Sequence, residues 1–122
     1  MFEIIVKKRF TAGHGLLLYK GNKEEIHDHD WLVEICLGAE TLDRSGCVAD
    51  FVEIDELLKN IVSLLDGKNL NELNLFSEKS PSAENLAEYI FNKTVNYFKN
   101  KRAKVVSVTV WEDPDHGATI KR

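Results

Sequence analysis

The run His27-Asp28-His29-Asp30-Trp31-Leu32-Val33-Glu34-Ile35-Cys36-Leu37 restricts the possible folds more than any other stretch. Its odd positions are His27, His29, Trp31, Val33, Ile35 and Leu37, and its even positions include Asp28, Asp30 and Glu34. Successive side chains of a β-strand point to opposite faces, so the run predicts a strand with one apolar and one polar face. On a regular strand Asp28 and Asp30 then point away from the histidines, toward solvent. Both imidazoles project side by side from the end of the apolar face. Histidines at that spacing suit a metal ion, because neutral imidazole is the commonest protein ligand for zinc. An ordinary exposed strand can carry the same pair, so the spacing alone leaves both readings open.

A half-apolar strand needs neighbours, and the rest of the chain supplies them. Residues 2–12 alternate as well, with Phe2, Ile4, Val6, Phe10 and Ala12 on one face and Lys8 as the exception. The same parity carries His14 onto the apolar face just past the strand end, between Gly13 and Gly15. A loop over residues 16–25, with a turn signal at Lys20-Gly21-Asn22, leads to the second strand. After a turn at Asp43-Arg44-Ser45-Gly46, Cys47 to Phe51 form an extended lead-in to a helix. That helix carries Ile54, Leu57, Leu58, Ile61, Leu64 and Leu65 as one apolar stripe. Asp66-Gly67 is expected to end it, with Gly67 as the left-handed cap. A second helix is predicted from Ser80-Pro81-Ser82 to about Asn100, with either serine capping and Pro81 at a first helical position. Its inward residues would be Ala83, Leu86, Ala87, Ile90, Tyr97 and Phe98. A third strand at Lys104 to Glu112 puts Val106, Val108, Val110 and Glu112 on one face, and a short fourth follows Pro114 at about residues 117–121.

The order β-β-α-α-β-β predicts an α+β protein, a four-stranded antiparallel sheet with two amphipathic helices on one face. With strands alternating in direction, His14, His27, His29 and Glu112 meet at one edge, on the helix-covered side. Three nitrogen ligands with an open fourth position are the arrangement of a catalytic zinc site. At 122 residues the chain has room for one core, so residues 1–122 read as a single domain. No apolar run approaches the roughly 20 residues that cross a bilayer. The start, Met1-Phe2-Glu3-Ile4-Ile5-Val6, lacks the layout of a signal peptide, which points to the cytoplasm and no membrane partner. A net charge of −4 with scattered signs argues against a nucleic-acid surface. Cys36 and Cys47 form no recognisable framework and read as small buried apolar residues.

Five segments, in order, resemble the 6-pyruvoyltetrahydropterin synthase and 6-carboxytetrahydropterin synthase family. They are Phe10-Thr11-Ala12-Gly13-His14, His27-Asp28-His29-Asp30-Trp31, Gly46-Cys47-Val48-Ala49-Asp50-Phe51, Pro81-Ser82-Ala83-Glu84-Asn85-Leu86-Ala87 and Val110-Trp111-Glu112. The resemblance runs nearly end to end. It implies the tunnelling fold (T-fold), assembling into a barrel, usually a hexamer, with sites between subunits. It implies a zinc ion on His14, His27 and His29, and a dihydropterin substrate whose guanidine-like edge pairs with Glu112. Ser82 and Ala83, at the matching helix start, are the implied further substrate contacts.

Two departures stand beside the matches. Where the family carries its catalytic cysteine, four residues before the first histidine of the pair, this chain has Lys23. Where the family has an Asp-His dyad after the first helix, this chain has Asp66-Gly67. Glu24, three residues before His27, gives Glu-x-x-His-x-His. That pattern is similar to a subgroup that cleaves a dihydroneopterin-type side chain to 6-hydroxymethyl-dihydropterin. Glu24 would then be the general base, and His116, the one histidine not assigned to zinc, a candidate acid. Glu24 beside Lys23 and Glu25 also fits a solvated loop run, and His116 fits an exposed turn. The alternatives are a pterin- or purine-binding protein without turnover, and a carboxy- or pyruvoyl-forming enzyme with rearranged residues.

Overall fold

The computed structural model describes residues 1–76 and 79–122. Strands β1 (Phe2–His14), β2 (His27–Ala39), β3 (Lys104–Asp113) and β4 (His116–Lys121) form one antiparallel sheet in the order β1-β2-β3-β4. Helices α1 (Phe51–Ser63) and α2 (Ala83–Tyr97) lie between β2 and β3 in sequence, with a 3-10 turn at Leu70–Glu72 between them. The α+β class and the β-β-α-α-β-β order are as the periodicities predict.

The core lies between the helices and one sheet face. Val33, Ile35 and Leu37 of β2, Val108 and Val110 of β3, Ile54 and Leu58 of α1, and Leu86 and Ile90 of α2 are at most 1% exposed. Phe10 stacks on Trp31, whose indole N–H donates to the Ala12 carbonyl at 3.1 Å. Trp31 is fully buried, and it forms the floor beneath the histidines at the sheet end.

Several boundaries differ from expectation, each for a local reason. β1 continues through His14, because His14 pairs with His27 at the last rung of the β1–β2 ladder. Helix α1 stops at Ser63, so Leu64 is exposed while Leu65 tucks into the core. Gly67 does have a positive φ of 74°, but it serves the following turn, where its N–H donates to the Thr11 carbonyl at 2.7 Å. Ser82 caps α2 by accepting from the Asn85 N–H, so Pro81 precedes the cap instead of opening the helix. The helix ends at Tyr97, which is exposed and hydrogen-bonds Glu53.

On β3 the alternation slips once. Cys36 pairs with Ser107 and Leu37 with Val105, leaving Val106 as the extra residue of a β-bulge. Val105 therefore takes the buried place expected for Val106. Cys47 is exposed, not buried, and Cys36 is half-buried; burial pushes the Cys36 thiol up to about 11. No helix among the described residues is long and apolar enough to cross a membrane.

Candidate active site and metal centre

The register of β1 and β2 builds the centre. His14 stands directly opposite His27, and Ala12 opposite His29, so three imidazoles share one end of one face. Their rings meet edge-on, with centroids 4.8 Å apart for His14–His27, 5.2 Å for His14–His29 and 4.5 Å for His27–His29. One ligand atom from each lies within 4.8 Å of the others. Ligand atoms on a tetrahedral zinc stand about 3.4 Å apart, which small side-chain rotations would reach.

His14 is only 2% exposed and is held from behind. Its Nδ1–H donates to the Pro81 carbonyl at 2.7 Å, which turns the lone pair of Nε2 toward the cluster. The Nε2 atom is 2.6 Å from Glu112 Oε1, and His29 Nε2 is 3.4 Å from the same oxygen. His27 Nδ1 is 2.7 Å from His29 Nε2. A nitrogen lone pair and a carboxylate oxygen repel at such distances unless a proton or a cation lies between them. The donor set thus fits a divalent metal of intermediate softness: three imidazoles, with one carboxylate alongside. Burial holds His29 below the ordinary 6.5, with Glu112 partly offsetting the effect. A lowered value is the direction that favours ligation, which takes the neutral ring.

Glu112 shares the face of Val108 and Val110 by the ordinary alternation of β3, as expected, and it falls at an irregularity of the neighbouring ladder. Trp111 pairs with Gly117 and Asp113 with His116, so Glu112 is the extra residue of a second bulge, on the β3–β4 ladder. Beside it opens a pocket of about 350 Å³, lined in part by His14, Ser82, Ala83, Asn85 and Glu112. Small-molecule sites occupy about 300–1,000 Å³, so one heterocycle fits. A second pocket of about 320 Å³ lies on the helix-free face, with Arg9, Asp30, Glu34 and Trp111 in its lining and none of the three histidines.

Glu24 turns inward while Lys23 and Glu25 are exposed, so the solvated-run reading does not describe it. Its Oε1 accepts from the Leu16 N–H at 3.0 Å and lies 3.1 Å from His27 Nε2. Both contacts fall on Oε1; among the described residues, no hydrogen bond reaches Oε2. The loop behind Glu24 is closed by a tight turn at Lys20 and Gly21, with φ of 49° and 83°, across which Tyr19 and Asn22 pair. Asp28 and Asp30 are exposed on the other face of β2, as the alternation predicts.

The structure does not bring His116 to the cluster. It opens β4, is exposed, and hydrogen-bonds Asp113 at 2.8 Å. The Asp113 contact holds His116 above 6.5, and the Asp115 N–H and His116 together hold Asp113 below the usual carboxylate range. The pair's contribution is full below the unfolded pKa of His116 and is lost as pH rises through its folded value. On the acid side it is lost as pH falls through the folded pKa of Asp113. In an NMR titration His116 is expected to titrate above 6.5 and to return toward 6.5 in Asp113→Asn; an unshifted His116 in the native protein would remove the ion pair.

Sequence reasoning missed the groups that hold these side chains in place. The Pro81 carbonyl and the Leu16 N–H are backbone atoms and leave no residue signature. Asn71, whose side chain binds Gly15 at both its N–H and its carbonyl, had only the Asn69-Leu70-Asn71 spacing to mark it.

The fold and the site together define a T-fold protein with a three-histidine cluster at one end of its sheet. Residues 3–122 match the family described as 6-pyruvoyl tetrahydropterin synthase, and the chain belongs to that family. It is 25% identical over 119 residues to the dihydroneopterin monophosphate aldolase of Pyrococcus furiosus, covering 98% of this chain and 96% of that one. It is 27% identical over 119 residues to a putative 6-carboxy-5,6,7,8-tetrahydropterin synthase of Archaeoglobus fulgidus, covering 96% and 93%. Among solved structures, the 6-pyruvoyl tetrahydropterin synthase of Caenorhabditis elegans superposes with a TM-score of 0.86 at 23% identity, over 99% of this chain and 95% of that one. A catalytic-residue variant of the Plasmodium vivax 6-pyruvoyltetrahydropterin synthase, with a glutamate replaced by alanine, gives 0.80 at 23% identity, over 99% and 97%.

Proposed function

We propose that this protein is a zinc-dependent lyase that cleaves the side chain of a 7,8-dihydroneopterin-type substrate, giving 6-hydroxymethyl-7,8-dihydropterin. The observation that carries the reading is the carboxylate of Glu24, inward-facing and 3.1 Å from His27 of the histidine cluster. The relative from Pyrococcus furiosus, named as a dihydroneopterin monophosphate aldolase, supports the same reaction class. Lys23 and Gly67, at the places of the family's cysteine and dyad histidine, argue against the pyruvoyl- and carboxy-forming chemistry.

The reaction is a retro-aldol cleavage. Zinc held by His14, His27 and His29 would supply Lewis acidity to the side-chain hydroxyls. Glu24 Oε2 takes the proton of the 2′-hydroxyl, and that oxygen's electrons form an aldehyde as the C1′–C2′ bond breaks. The bonding pair stays on C1′, where the pterin ring delocalises it, and a proton returned to C1′ completes the hydroxymethyl product. Glycolaldehyde, or its phosphate, leaves. Glu112 holds the guanidine-like edge of the ring as a bidentate acceptor, at the wall of the pocket formed with Ser82 and Ala83. His116, exposed and paired with Asp113, serves this step only if assembly brings it to a site. A hexameric barrel with sites between subunits is part of the proposal. Exposed Phe2, Ile5, Phe51 and Val52 are the apolar surface such an assembly would cover.

The test is direct. Purified protein is incubated with 7,8-dihydroneopterin, its monophosphate and its triphosphate, with zinc and with a chelator, and products are followed by mass spectrometry. Zinc-dependent 6-hydroxymethyl-7,8-dihydropterin is expected. Tight binding without product would instead support the pterin-binding reading, which the missing cysteine and dyad histidine favour. A 6-carboxy or 6-pyruvoyl product would restore the standard family chemistry. Glu112→Gln is expected to weaken pterin binding by about 10²-fold while zinc content holds, as loss of a charge-assisted bidentate contact implies. Loss of zinc in that variant would make Glu112 a ligand, as its 2.6 Å approach to His14 allows.

A further inference from the structure

We infer that Asn71 is a positioning residue for Glu24, acting through the backbone of Gly15 and Leu16; the inference rests on the reading of Glu24 as the base. The side-chain amide of Asn71 grips Gly15 at two points. Its Oδ1 accepts from the Gly15 N–H at 2.8 Å, and its Nδ2 donates to the Gly15 carbonyl at 2.8 Å. This double contact fixes both the place and the tilt of the peptide that leads into Leu16. The next N–H along, that of Leu16, donates to Glu24 Oε1 at 3.0 Å, and the Glu24 N–H donates back to the Leu16 carbonyl at 2.8 Å. Asn71 therefore sets the donor that aims the carboxylate, without touching the carboxylate itself.

The chain of contacts has little slack. A Cβ on Gly15 would come within 2.6 Å of the Glu24 carbonyl and 2.9 Å of the Glu25 carbonyl, so the two backbones already run at closest approach. A shift of Gly15 toward the loop presses on residues 24 and 25, and the Glu24 N–H bond to the Leu16 carbonyl couples the two backbones. At its other end Asn71 is anchored. Its N–H donates to Asn69 Oδ1 at 3.0 Å, Leu70 beside it is fully buried, and the Gly13 N–H donates to the Lys68 carbonyl at 3.0 Å. The 3-10 turn is thus tied to β1 just before the strand delivers His14. One turn holds the metal-bearing strand end and the base-bearing loop in a common frame.

A base displaced by about 1 Å can cost on the order of 100-fold in rate. Asn71→Ala is expected to lower kcat on 7,8-dihydroneopterin by about 10- to 100-fold, with KM and zinc stoichiometry within about twofold of the native protein. Asn71→Asp keeps the size and the acceptor but removes the donor to Gly15. It is expected to show the same selective loss of kcat, and it serves if the alanine variant does not fold. Hydrogen exchange of the Leu16 N–H should rise in both variants while the central rungs of β1 stay protected. In a Glu24→Gln background, adding either Asn71 change should cause no further loss, since the group it aims is gone.

An equal loss in that background would make Asn71 a general structural residue and overturn the inference. So would native kcat in both variants while Glu24→Gln is inactive. If Glu24→Gln itself turns over at the native rate, the base assignment fails, and this inference with it.

Discussion

Glu24→Gln is expected to lower turnover of 7,8-dihydroneopterin by about 10³-fold, as removal of a general base does, while zinc content and pterin affinity stay near native. The amide preserves the size of the side chain and can still accept from the Leu16 N–H through its oxygen. What it loses is the capacity to take a proton. The variant also separates two roles for the same carboxylate. Glu24 stands 3.1 Å from His27 Nε2, a place from which a carboxylate can orient a metal-bound imidazole. If orientation were its whole contribution, the variant would lose zinc, with turnover restored at high zinc concentration. Turnover lost at full zinc occupancy, measured by metal analysis beside the product assay, assigns the base. Native turnover removes it.

His14→Ala is expected to abolish stoichiometric zinc binding and to destabilise the metal-free fold by about 3 kcal/mol, or roughly 10 °C in Tm. The size of the effect follows from burial. The ring is 2% exposed, packs edge-on against Trp31, and satisfies the Pro81 carbonyl at 2.7 Å. Truncation leaves that buried carbonyl without its donor and opens a void above the indole. His29→Ala, whose side chain is 22% exposed, is the comparison. It should lose zinc as completely at less than half the cost in Tm. Calorimetry of the chelated proteins and metal analysis of the loaded ones read both quantities. A His14→Ala protein that keeps one zinc per chain would dismantle the three-histidine centre.

Most of the site's frame was legible because strands advertise parity. The odd positions of β2, from His27 to Leu37, put both histidines and the core residues on one face, and β1 carried His14 to the same face. What stayed hidden has physical causes. A bulge adds one residue without changing composition, so nothing in the alternation of β3 revealed that Val105 and not Val106 would be buried. The inward turn of Glu24 depends on a backbone donor at Leu16, and irregular loops have no period from which to read direction. His116 could be placed near Glu112 in sequence, but its Asp113 partner draws it to the surface. Gly67 was recognised as left-handed and assigned to the wrong structure, a helix cap in place of the turn that grips Thr11.

His14 and His27 face each other across the final rung of a ladder, so the sheet and not the connecting segment sets their separation. The stretch between them, from Leu16 to Glu25, carries Glu24, the base of the proposed reaction, so the group proposed to act on the substrate and the rings that face each other across the ladder come from separate parts of the chain. A scaffold divided in this way would let a new reaction arise by rewriting one hairpin connection, with the three-histidine cluster left in place. It also marks that connection as the place to graft when a different bond is to be broken.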